Sequence, residues 1–128
     1  MKLIHLFEHA DMYQIISHEV MTDDSALDNT HKVGSVRFHT SELTTLFGEP
    51  QQVNGDYNNQ WIIKFIYRSN DDTYNPEDGD EDVDTAIVSI YDAGYPAGTD
   101  ISTIDNWTVG GHNMVGLWVL EQYLEHNI

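Results

Sequence analysis

Residues 69 to 85, SNDDTYNPEDGDEDVDT, carry eight carboxylates and no lysine or arginine. Clustered carboxylate oxygens are the donor set of hard divalent cations. A calcium loop of the EF-hand kind needs oxygen donors at alternate positions before its glycine, but the residues at those steps before Gly79 are Asp78, Pro76 and Tyr74. The register fails, and no metal site is assigned. A second chemistry rests on Asp78, Asp80, Asp82 and Asp84, which alternate. In an extended chain alternate side chains point the same way about 6.6 Å apart, so the four form a row of negative charge resembling nucleic-acid phosphates. With Asp71, Asp72, Glu77 and Glu81 they make up the candidate partner-binding surface. The plainer reading is a solvated loop that keeps an acidic protein soluble, or the surface of a protein adapted to high salt.

Other residues are weaker candidates. His5 and His9 are four apart with Glu8 between them, a ligand spacing, but the HExxH order is absent and surface histidines are the expectation. VGGHNMVG, residues 109 to 116, sets glycines before an expected helix start without the lysine or hydroxyl of a phosphate loop, and reads as a turn. Trp61, Tyr67, Trp107 and Trp118 could stack a base, yet at strand and helix spacing they read as core. Ser17, His18 and Glu19 are neighbours on one element and cannot make a triad. No catalytic set and no cofactor signature emerge, so the chain reads as a binding protein rather than an enzyme.

Charge narrows the partner. The chain has a net charge of -17. Five cations against nine acids leave -4 in residues 1 to 68, and thirteen acids without lysine or arginine leave -13 in residues 69 to 128. Such a field repels nucleic acid and anionic membranes and attracts basic proteins, so direct nucleic-acid binding is disfavoured. The absence of cysteine excludes disulfides and thiolate sites and fits a reducing compartment. The start, MKLIHLFEHADMYQ, is interrupted by His5, Glu8, His9 and Asp11 and lacks the apolar core of a signal peptide, so a cytoplasmic location is expected.

The elements follow from periodicity. With 128 residues and 40% hydrophobic content, one domain over 1-128 is expected, with an acidic hairpin loop at 69-84. Asp11 followed by Gln14 resembles a capping box, and Ile15, Ile16 and Val20 supply a stripe for a helix near 12 to 21. A polar loop follows, then a strand over 33 to 39 and a short helix in TSELTTLFGEP ended by Gly48 and Pro50. QWIIKFIYR (60 to 68) and VDTAIVSIYD (83 to 92) read as adjacent antiparallel strands, ISTIDNWTV (101 to 109) as a further strand, and HNMVGLWVLEQYLEH as an amphipathic helix packed on the sheet. The fold class is α+β: an antiparallel sheet of three to five strands against a C-terminal helix and one or two shorter helices. Residues 70 to 80 are expected to be the most mobile.

Phe38, Leu43 with LFGEP, QWIIKF, VSIYD, WTVGG and the C-terminal helix together resemble a pattern among small acidic phage-encoded accessory proteins, over roughly Phe38 to Leu124. Some proteins of that kind inhibit host defence. The resemblance implies a phage inhibitor whose partner is a basic nucleic-acid-binding host protein, met by acidic mimicry of DNA. Sequestration of a small nucleotide signal, between subunits of a homodimer, is the alternative from another class.

Overall fold

The computed structural model describes residues 13-53, 58-69, 83-96 and 98-128. Six strands form one antiparallel sheet: β1 (Tyr13–Met21), β2 (His31–Val36), β3 (Gln51–Gln52), β4 (Asn59–Ser69), β5 (Asp84–Tyr91) and β6 (Trp107–Gly111). The spatial order is β1-β4-β5-β6-β2, with β3 pairing the start of β4. Two helices, α1 (Thr40–Phe47) and α2 (Met114–Asn127), complete the α+β architecture that the sequence pattern predicts.

β4 and β5 are the centre of the sheet because their residues can be buried on both sides. Trp61, Ile63, Phe65 and Tyr67 lie on one face of β4, and Ile62 between them is also fully buried. The register sets Trp61 opposite Ile90, Ile63 opposite Val88 and Phe65 opposite Ala86, so the two strands present one apolar surface to the helices. Close approach of α2 demands small residues. A Cβ on Gly116 would fall 2.8 Å from Val88 Cγ1, and one on Gly34 would fall 2.6 Å from Leu117 Cδ2. α1 is held by local chemistry: Glu42 reaches back to accept from the His39 backbone N–H, and Gly48 at φ 81° ends the helix. Thr40 donates instead to the carbonyls of Ile101 and Ile104, which fastens α1 to the 3₁₀ turn Ile101–Thr103.

β1 and β2 stand at opposite edges, so residues 22 to 30 must cross the sheet. The crossing contains a 3₁₀ turn, Asp24–Leu27, that packs on β5. It accounts for the burial of Ile62 and Ser89 on the face away from the helices.

Three expectations are corrected. Residues 12 to 21 are not a helix: Tyr13–Met21 is a strand paired with β4. A bulge between Ile15 and Ser17 interrupts its period of two, so that Ile15, Ile16 and Val20 mimic a helical stripe. Residues 101 to 109 are not one strand, because Asp100 caps a 3₁₀ turn by accepting from Ser102 N–H, and β6 starts only at Trp107. Gly110 and Gly111 lie inside β6 rather than in a turn before α2, where Asn113 accepts from Val115 N–H as the cap. Gly110 is needed there, since a Cβ would meet Ser89 Oγ at 2.7 Å. The mobility expected of residues 70 to 80 falls outside the described residues.

Candidate partner-binding surface

Asp71, Asp72, Glu77, Asp78, Asp80, Glu81 and Asp82 lie outside the described residues. Asp84 is described: it opens β5, is exposed, and pairs with Tyr67 across the ladder. The two ends of the acidic stretch are therefore held on neighbouring antiparallel strands, as the spacing of the strong strands predicts. At this end of the sheet Tyr13 and Tyr67 meet edge to face with ring centroids 5.4 Å apart. Burial lifts the Tyr67 phenol above its ordinary value, and the Asp84 carboxylate and the Tyr13 hydroxyl add to that. Burial alone raises the Tyr13 phenol.

The register also sorts the cations. Lys64 and Arg68 share the face of β4 that carries Ile62, and Lys32, opposite Gly110, lies on that face at the far edge. The acidic crossing segment, with Asp23, Asp24 and Asp28, spans the same side, and Glu19 pairs with Lys64. Arg37, the remaining described cation, is exposed and follows Val36, whose partner Trp107 lies on the helix side, while Asp84, opposite Tyr67, lies on the helix side at the start of β5. The cations of the described strands thus lie on the face away from the helices, whereas Asp84 lies on the helix side.

The aromatic candidates belong to the core. Trp61 and Trp107 pack edge to face at 4.9 Å and are almost wholly buried; Trp61 donates to the Gly48 carbonyl at 2.7 Å, whereas the buried Trp107 Nε1 has no acceptor among the described residues. Tyr67 is buried and Trp118 half-buried, so neither presents a free stacking face. No group of three potential metal ligands occurs among the described residues, and His5, Glu8 and His9 lie outside them.

Two features were not anticipated. Asp92 is buried and accepts from Asn58 N–H, Asn59 N–H and Asn59 Nδ2 at 2.8 to 3.0 Å, clasping the start of β4 to the end of β5. The only sequence signal is its place just after a strand and before a glycine turn. The second feature is β1 itself. His18 is exposed yet stands among Tyr123, Phe47 and Phe65 with centroids at 5.0, 5.9 and 6.3 Å. Gln122 of α2 spans the Tyr13 backbone, accepting from its N–H at 3.0 Å and donating to its carbonyl. Ile16 and Val20 remain 45% and 39% exposed, and no other described strand pairs the outer side of β1.

No helix among the described residues is long and apolar enough to cross a membrane. No family model, curated protein or solved structure significantly matches the chain.

Proposed function

We propose that this chain is a non-enzymatic phage protein that inhibits a basic, nucleic-acid-binding host defence factor of the CRISPR or restriction kind, by presenting carboxylates in place of DNA phosphates. The observation that carries the reading is the charge pattern: -17 overall, with eight carboxylates and no lysine or arginine between residues 69 and 85. Its support is electrostatic and geometric. Carboxylates accept charge-assisted hydrogen bonds from lysine and arginine as phosphates do. The β4-β5 ladder sets the two ends of the acidic stretch side by side, and the described cations lie mostly on the face away from the helices.

The test changes Asp78, Asp80, Asp82 and Asp84 together to Asn. The immobilised parent should capture a DNA-binding protein from host lysate and release it to duplex DNA. The fourfold variant should keep its fold and should lose at least about tenfold in affinity as the partner's cations lose their counter-charges. Capture of the same protein with undiminished affinity by the fourfold variant would refute the mimicry. A chain that captures nothing and unfolds when salt is withdrawn is a salt-adapted domain instead.

A further inference from the structure

We infer that the outer edge of β1 is a docking edge for an extended basic segment, which adds to the sheet as a further strand over Ser17–Met21. The inference rests on the basic-partner reading and names where that partner's backbone is held. An edge strand leaves alternate N–H and C=O groups unpaired and is a template for another strand unless the protein blocks it. β1 pairs with β4 on one side and with no described strand on the other. Its bulge lies between Ile15 and Ser17, leaving five regular residues, Ser17 to Met21, in continuous register with Ile66 to Ile62.

The usual blocking cations are missing, and the charge that the run does carry, Glu19, would attract a basic segment rather than repel it. Tyr13–Met21 contains no lysine or arginine, and it supplies Ile16 and Val20, two of the four large exposed hydrophobics among the described residues. Backbone pairing would supply affinity and alternate side chains the selectivity. On the helix side an added strand meets Val20 and His18; on the other it meets Glu19. The fitting occupant therefore alternates apolar residues with lysine or arginine. A second copy presents the same strand, but it brings another -17 into contact, a repulsion that the basic segment turns into attraction. Charge chooses between the two occupants.

The test uses a nine-residue peptide alternating lysine with valine, and an analogue of identical charge whose backbone is N-methylated at alternate residues on its pairing side. Amide hydrogen exchange and titration calorimetry are read at low salt. The parent peptide should slow exchange in Ser17–Met21, leave β2 unchanged, and bind at least about tenfold more tightly than the methylated analogue. Val20→Lys, which adds a charge at an exposed site, should weaken the parent peptide by about the same factor with the fold intact. Equal binding of both peptides without protection of β1 overturns the docking edge and leaves the basic-partner reading standing. Binding of neither peptide sinks both. The docking edge also falls if the outward amides of Ser17–Met21 are already protected in the free monomer, or if protection rises with protein concentration alongside a dimer in sedimentation.

Discussion

The two edge strands of the sheet are built differently. β2 is six residues long, with Lys32 in its paired run and Arg37 just beyond its end, and a bulge lies between Lys32 and Gly34. Its inner side is clamped, because Gly34 sits against Leu117 of α2 and Val36 is paired with the buried Trp107. β1 is nine residues long, lacks any cation, and is exposed over most of its length. Gln122 fixes its start, and past the bulge His18 is its contact with the aromatic cluster. Among the described cations, Lys32 and Arg37 flank β2 and none lies within β1. Solubility alone would call for both edges to be blocked, so the open one is where partner contact is expected.

The comparison breaks most sharply at the aromatic anchors. Trp107→Ala empties the space beside Trp61 and should cost about 3–5 kcal/mol in denaturant melts, whereas His18→Ala on the exposed strand should cost less than about 1 kcal/mol. Equal losses would mean that the edge strand β1 is as much part of the core as β6, the strand on which β2 rests. The next effect is steric. Gly34→Val drives a side chain into Leu117, and overpacking of this kind should cost about 1–3 kcal/mol; Ser17→Val adds a β-branched residue to an exposed strand and should stay within about 0.5 kcal/mol. A silent Gly34→Val would show that Leu117 turns aside freely and that β2 is not clamped.

A third effect tests how β1 is seated. Gln122→Ala leaves the N–H and C=O of Tyr13 without their side-chain partner at a buried site, a loss of about 1–3 kcal/mol. Faster hydrogen exchange should then appear at Tyr13 to Ile15 before it appears in β2. If β2 opens first, the two edges do not melt independently.

β4, β5, α1 and α2 are legible in the sequence because each buries a face whose period survives to the last residue. Trp61, Ile63, Phe65 and Tyr67 keep their spacing of two, and Gly48 stops α1 as glycine does after many helices. β1 is not legible, since its bulge places the residues facing the helices at Tyr13, Ile15, His18 and Val20, and no single period describes that set. The break between the 3₁₀ turn at Ile101–Thr103 and β6 depends on Asp100 bonding to Ser102, and the crossing over Ile62 depends on which strands are neighbours. The first is a local cap between residues two apart, which the apolar pattern of 101 to 109 does not reveal; the second is a tertiary fact. The acidic candidates were found by composition, whereas an open sheet edge becomes visible only once strand order is known.

The smallest expected effect reports on the corner where β1, β4 and β5 meet the acidic stretch. Tyr67 holds its proton more tightly in the folded chain than in the unfolded one, because of burial first, then the Asp84 charge, then Tyr13. Below pH about 10 the phenol is protonated in both states and stability does not depend on it. As pH rises past that unfolded value, the unfolded chain sheds the proton while the folded chain keeps it, so stability falls until the folded value is passed. Asp84→Asn removes the second cause and leaves the first. The folded phenol should move down toward its ordinary value without reaching it, and the alkaline loss of stability should shrink. Phenolate absorbance, read as the difference between each protein and its Tyr67→Phe counterpart, isolates this one of seven tyrosines. An unmoved titration would mean that solvent screens the exposed Asp84 completely, and then a partner's cation would gain little from that carboxylate until binding excludes the water around it.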